Sequence, residues 1–262
     1  MAVLLLCSVG GAPGTTTTSL GLALQWPRPV VLVDADASAQ QAITAGFLGG
    51  ASSSLGMMSI LHAQRVHAPI RERLLDHTQP LDDSGQARLL AGFTQPGASD
   101  IFTGWAELAD ELTSLEQRDM DVIVDAGRVT PRSLPTALLR RTDQVLLVAR
   151  TSLRSLMALR THLTELLDHI DASSATCQTG LALVGPDRPY STAEITAQFG
   201  LPVLLQVPWA PLHAEVLSDA GDRPRRFDRS PFVTEIGRGA HRLHQRLTSH
   251  VRQRDGVERR SA

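Results

Sequence analysis

Leu4-Leu5-Leu6-Cys7-Ser8-Val9-Gly10-Gly11-Ala12-Pro13-Gly14-Thr15-Thr16-Thr17-Thr18 decides the fold of this chain. An apolar run of strand length meets a glycine-rich turn. A threonine run then opens a helical pattern with Leu20, Leu22, Ala23 and Leu24. Strand, flexible loop and helix start together form a phosphate cradle. Glycines let main-chain N–H groups close around an anion, and the helix end adds partial positive charge. The usual phosphate loop reads G-x-x-x-x-G-K-[ST], with the lysine on the outer phosphates and the hydroxyl on Mg2+. With Gly14 as the last loop glycine, Thr16 takes the metal position and Thr15 the lysine position. Sliding by one puts Gly14 in the lysine position and Thr15 on the metal. Neither register holds a lysine, because all 25 Lys+Arg residues are arginine. Val9 stands where the first loop glycine belongs, and Pro13 removes one N–H from the cradle.

Two later stretches supply carboxylates. Val30-Val31-Leu32-Val33 is a continuous apolar run, as expected of a parallel strand buried on both faces, and it ends in Asp34-Ala35-Asp36. Carboxylates at the C-terminal end of a central strand sit where open α/β sheets bind ligands. A plainer alternative is that these acids cap the next helix. Val122-Ile123-Val124 likewise runs into Asp125-Ala126-Gly127-Arg128. A strand ending in Asp-x-Gly has the form of a second phosphate-loop carboxylate, which holds Mg2+ through water, followed by a mobile glycine.

The chain has 262 residues, of which 42% are hydrophobic. That is enough for one large α/β domain, placed at 1–250, with a basic tail at 251–262 expected to be disordered. A net charge of −2 makes no global case for nucleic acid or acidic membranes. Cys7 and Cys177 lie in apolar runs and read as buried thiols of a reducing compartment. The apolar start lacks a basic leader. Leu-Leu-Leu-Cys-Ser has the look of a lipoprotein cleavage site but lies too near Met1 for a signal sequence. No run reaches the roughly 18 apolar residues of a membrane span. The expectation is a soluble, cytoplasmic protein without a transmembrane segment.

Residues 37–86 are the least readable, with short helices expected at Leu55–Ala63 and Ile70–His77. Ala87–Ala91 reads as a strand. Ile101, Trp105, Leu108, Leu112 and Leu115 put helical spacing over Asp100–Gln117. A helix at 131–141, a strand at Gln144–Ala149, a helix at 152–168 and a strand at Gly180–Val184 follow. Ser191 and Glu194 form a capping box for 192–199, and Val203–Val207 closes the series before Pro208-Trp209. Strands alternating with helices predict a doubly wound, mostly parallel sheet flanked by helices. From Asp222 onward, eleven arginines face five acids. Ile236, Ala240, Leu243, Leu247 and Val251 make a final amphipathic helix there. Its basic face is either merely solvated or a contact for DNA, anionic lipid or an acidic partner. His241 and His244 read as surface residues.

Gly-Gly-Ala-Pro-Gly-Thr-Thr-Thr-Thr, Val-Val-Leu-Val-Asp-Ala-Asp and Val-Ile-Val-Asp-Ala-Gly-Arg, in this order, resemble the MinD/ParA class of deviant P-loop ATPases. The similarity runs from the first strand to Pro208-Trp209-Ala210-Pro211. Within the class the chain looks most like divergent actinobacterial MinD-like proteins related to the TadZ/CpaE group, which positions Tad-type pilus machinery. The matching segments are Leu183–Gly185, Arg188–Ser191 and Leu201–Trp209.

The resemblance implies ATP and Mg2+ as ligands. Gly10, Gly11, Ala12, Pro13, Gly14, Thr15, Thr16 and Thr17 would surround the phosphates, with Thr16 on Mg2+. Asp125 would hold the metal through water and Asp34 would lie near it. Asp36 would orient the attacking water, and Gly185 and Pro208 would flank the adenine. Members of the class use two lysines, one in cis and one reaching across a nucleotide-sandwich dimer; Thr15 and Gly10 occupy those positions here. A supplied cation is worth roughly 10³–10⁵ in rate in phosphoryl transfer, so hydrolysis suffers more than binding. Arg128, Arg150 and Arg154 are the candidate replacements. The implied protein is a homodimeric positioning or partitioning factor with slow or absent hydrolysis, acting on a larger pilus, secretion or partition assembly. The rivals are a nucleotide-free pseudo-ATPase scaffold and a ParA-like protein binding DNA through the C-terminal arginines.

Overall fold

The computed structural model describes residues 1–51, 54–66, 73–130, 133–186 and 189–261, with side chains as far as residue 253. Arg188, and the first residues of the helices expected at 70 and 131, lie outside that set. Eight strands form a single sheet: β1 (Val3–Ser8), β2 (Val30–Asp34), β3 (Gln79–Pro80), β4 (Ala87–Leu90), β5 (Asp121–Arg128), β6 (Gln144–Arg150), β7 (Gln178–Val184) and β8 (Val203–Val207). Their spatial order is β3-β4-β2-β5-β1-β6-β7-β8. Every pairing is parallel except that of β3 with β4. The doubly wound sheet read from the sequence is therefore present.

Alternation along β1 divides the core. Val3, Leu5 and Cys7 face one layer, packed by α4 (Trp105–Ser114), α5 (Thr136–Leu139) and α6 (Leu153–Ser173). Leu4 and Leu6 face the other, packed by α1 (Thr15–Leu24), α8 (Pro211–Ser218) and α9 (Pro231–Ser261). Both faces of the central strands are thus dry, which is why those strands read as unbroken apolar runs. Cys7 is buried, Cys177 is half-buried, and both are free thiols.

Several boundaries differ from the sequence reading. The helix expected across Asp100–Gln117 breaks into α3 (Ala98–Ile101) and α4. Phe102 turns inward to meet Trp105 edge-on at 4.9 Å and Phe93 at 5.7 Å, leaving Ile101 exposed. The helix expected at 131–141 is reduced to α5, because Pro135 supplies an extended residue before Thr136. Two more helices, α2 (Met57–Arg65) and α7 (Thr192–Phe199), fall where expected, and α7 carries the Ser191–Glu194 capping box. The final helix runs over Pro231–Ser261.

At the end of the sheet away from the loop, two acids clamp the start of β1. Asp121 accepts the Ala2 N–H and the Trp26 indole N–H, each at 2.9 Å. Asp143 accepts the Val3 N–H at 2.9 Å. His244 is not the surface residue expected from its spacing. Its ring meets Trp26 edge-on at 5.8 Å, and its Nε2 lies 3.5 Å from Asp121 Oδ2. Burial lowers the His244 pKa from the ordinary 6.5; Asp121 opposes that shift, whereas Arg28, His241 and the N-terminus add to it. A histidine with a depressed folded pKa is protonated first in the unfolded chain. Its contribution is therefore intact above pH 6.5 and lost as pH falls from 6.5 to the lower folded value. His244→Gln should flatten the fall in melting temperature over that window, read in a pH series of thermal melts.

Candidate functional site

The loop between β1 and α1 bends through left-handed residues at Gly11 (φ 77°), Ala12 (φ 43°) and Gly14 (φ 98°). Backbone of mixed handedness turns successive N–H groups toward one side, the arrangement that receives anions. Gly14 is the N-cap of α1 and no side chain caps the helix. The first intrahelical bond runs from Thr18 N–H to the Gly14 carbonyl at 2.9 Å. Among the described residues, the N–H groups of Gly11, Ala12 and Gly14 to Thr17 donate to no protein acceptor. These free donors sit at the positive end of the helix.

The loop opens on a cavity of about 540 Å³, within the range of small-molecule sites. Its walls place Ala12, Pro13, Gly14, Thr15, Thr16 and Thr17 with Asp36 and Pro208, all singled out in the sequence. Pro13 is buried without closing the space. Gly10, Gly11, Gly185, Asp34 and Asp125 do not line it. Gly10 packs against α6, where an added Cβ would lie 3.2 Å from the Ala158 Cβ. Gly185 lies behind the wall instead, where an added Cβ would be 3.4 Å from the Trp209 Cβ. Arg128 and Arg150 reach the cavity, whereas Arg154 is exposed on α6 away from it.

Strand register brings the two central carboxylates together, since Asp34 pairs with Asp125 across β2 and β5. Asp125 is fully buried; its Oδ1 accepts the Gly127 N–H at 2.9 Å and its Oδ2 has no hydrogen-bond partner among the described residues. Burial raises its pKa, opposed by the Thr16 hydroxyl beside it and by the Gly127 N–H. Asp34 is raised further, first by burial and then by the charge of Asp125. Asp36 Oδ1 is occupied by Ser38, accepting from its N–H at 2.8 Å and its hydroxyl at 2.6 Å. The other side of Asp36 packs on Gly127, where an added Cβ would lie 2.3 Å from the Asp36 Cγ.

Among the described residues neither Asp34 nor Asp125 forms an ion pair, and no three His, Cys, Asp or Glu side chains converge as a metal cluster. Mg2+ is ordinarily held by one or two carboxylates with hydroxyl, water and phosphate oxygens rather than by an all-protein cage. Thr16 and Asp125 make such a partial donor set, and the unpartnered Asp125 Oδ2 fits it. Thr15 Oγ1 is also buried without a partner.

The far wall was less visible in the sequence. Trp209, partly exposed after β8, lies under the Arg150 guanidinium, whose carbon is 4.7 Å from the ring centroid. Val184, Val207 and Phe232 add apolar surface to the cavity wall. Of these, Val184 and the segment ending in Pro208-Trp209 carried a signal in the sequence, and Phe232 did not.

No family model matches this sequence, and no curated protein matches it. Solved structures do. A ParA family ATPase from Chlorobium tepidum TLS superposes with a TM-score of 0.72 at 17% identity, covering 91% of this chain and 98% of that one. The MinD cell division protein of Aquifex aeolicus gives 0.70 at 14% identity, covering 94% and 98%. The septum site-determining protein MinD of Pyrococcus horikoshii OT3, complexed with Mg-ADP, gives 0.67 at 17% identity, covering 92% and 95%. In the described residues no helix is long and apolar enough to cross a membrane. This chain carries the fold of the ParA and MinD P-loop ATPases.

Proposed function

We propose that this chain is an ATP-binding positioning factor of the MinD/ParA kind, a single nucleotide-binding domain over residues 1–250 that dimerises around Mg·ATP and hydrolyses it slowly or not at all. The observation that carries this reading is the set of unpaired N–H groups of Ala12 and Gly14 to Thr17 at the head of α1, among the described residues, opening on a cavity of about 540 Å³. Such a cradle binds phosphate through the main chain, so its affinity does not depend on one side chain. The MinD structure complexed with Mg-ADP supports the choice of ligand.

In this reading Thr16 and Asp125 would hold the cation, with Asp34 behind them. The cation supplies charge stabilisation on the phosphates. Asp36 stands beside Gly127 at the rim, its Oδ1 turned to Ser38, so the carboxylate would reorient to hold a water for attack. The missing lysines depress turnover more than affinity. A positioning factor needs a slow switch rather than fast turnover, and its product would be the placement of a pilus, secretion or partition assembly.

Isothermal calorimetry with Mg·ATP tests this. The expected result is saturable heat for the wild type and at least a tenfold weaker affinity for Thr16→Ala. No heat at millimolar ATP would instead favour a nucleotide-free scaffold. Steady turnover at rates typical of metabolic enzymes, lost in Asp36→Ala, would contradict the slow switch.

A further inference from the structure

The loop has no lysine, yet a cation does reach it. Arg150 is the last residue of β6, the strand beside β1 on the side away from β5. Its main-chain N–H is held by the Ser155 hydroxyl at 3.0 Å. The side chain extends to the phosphate loop, where Nη2 donates to the Ala12 carbonyl at 3.2 Å. The guanidinium lies over the Trp209 ring, with its carbon 4.7 Å from the ring centroid. The Ala12 carbonyl and the Trp209 ring, both lining the cavity, thus hold one planar cation beside the cradle.

Its hydrogen-bonding capacity is not used up. Guanidinium carries five N–H donors. Nε is buried and has no acceptor among the described residues. A buried donor left without a partner is costly, and proteins keep such groups chiefly where something else satisfies them. The Ala12 carbonyl engages one terminal nitrogen, which leaves the rest of the fork for oxygens brought into the cavity. Arg128 also reaches the cavity, but it is exposed and makes no comparable contact. The positions that the resemblance assigns to lysine hold no cation here: Thr15 is a buried hydroxyl residue, and a Cβ added at Gly10 would lie 3.2 Å from the Ala158 Cβ.

We infer that Arg150 is the phosphate-contacting cation of this site, delivered from β6 instead of from the loop, with Trp209 as the residue that positions it. This rests on the reading of the cavity as a nucleotide site. The ligand chemistry it selects is a polyphosphate: a planar fork binds two oxygens at once, whereas a lysine is a point charge. Trp209 limits the motion of the guanidinium through a cation–π contact and excludes water from one of its faces.

Calorimetry separates the cases, with Mg·ATP and with inorganic tripolyphosphate plus Mg2+ as probes. Wild type, Arg150→Ala, Arg150→Lys, Trp209→Leu and the exposed control Arg154→Ala are compared, with thermal melts confirming that each is folded. Arg150→Ala is expected to weaken both probes by about 10–100-fold, the range of lost charge-assisted hydrogen bonds. Arg150→Lys should recover part of that loss, Trp209→Leu should weaken tripolyphosphate several-fold although it touches no phosphate, and Arg154→Ala should match the wild type. A folded Arg150→Ala that binds both probes within twofold of wild type, while Thr16→Ala does not, would overturn the inference and leave the nucleotide site standing. A wild type that binds neither probe would remove both.

Discussion

Asp121→Ala is expected to lower the melting temperature by about 10 °C. Asp121 is 1% exposed, and its two oxygens accept from the Ala2 main chain and the Trp26 indole. Arg28 Nη1 at 3.5 Å and His244 Nε2 at 3.5 Å surround it. Removing the carboxylate leaves two buried donors and a half-buried cation without their acceptor. Breaking such a network costs about 3–5 kcal/mol, and one kcal/mol moves the midpoint by about 2–4 °C in a chain of this size. The affected contacts tie β1, β5, α9 and the turn before β2 together, so the loss is global rather than local. Asp119→Ala, which removes an exposed partner of the same Arg28, should shift stability by less than about 0.5 kcal/mol. Asp121→Asn separates charge from acceptor number: partial recovery would show that accepted hydrogen bonds dominate. A melt for Asp121→Ala within 2 °C of wild type, on the same ~2–4 °C scale, would mean that the clamp is not what holds β1 in register.

The fold was legible wherever burial on both sheet faces forced a continuous apolar run. Val30–Val33, Val122–Val124 and Val203–Val207 each appear as strands close to their expected bounds. Legibility failed where tertiary contacts override local pattern. Ile101 continues a helical spacing in the sequence, but the ring of Phe102 beside it is drawn into a cluster with Phe93 and Trp105, and the helix breaks there. His244 sits at a spacing that reads as solvent-facing, and only the placement of α9 beside Trp26 buries it. The helix α8 went unread between Trp209 and the arginine-rich segment because eight residues carry too little periodicity.

The candidate site divides along the same line. Residues that act through the main chain or through strand ends were visible, because a glycine-rich turn and a terminal aspartate are local signals. Thr16 and Asp125, 109 positions apart in sequence, could be paired only on that basis. The alternation of the central strands and their register then bring them together. What sequence order could not show is which arginine reaches the loop. Arg128, Arg150 and Arg154 are equivalent as text, and the distinction arises from β6 running beside β1 and from Trp209 lying across the cavity.

Asp125→Asn is expected to act in two opposite directions. Without nucleotide it should raise the melting temperature by several degrees, corresponding to about 1–3 kcal/mol. The native carboxylate is completely buried, faces Asp34 in register, and leaves Oδ2 without a partner. An amide removes the repulsion and keeps an oxygen for the Gly127 N–H. With Mg·ATP the order should reverse. A ligand at a hundred times its Kd adds about 2.7 kcal/mol to a folded state that binds it. The wild type should gain that increment, whereas the asparagine variant, lacking the anionic oxygen beside Thr16, should gain far less. Thermal melts of both proteins with and without Mg·ATP read the two effects in one experiment. Stability that falls in the nucleotide-free variant would mean that Asp125 is held chiefly by its bond to Gly127. An undiminished Mg·ATP shift would place the cation elsewhere. Crossing curves, higher alone and lower with ligand, are what a carboxylate kept for a cation at the expense of the empty fold should give.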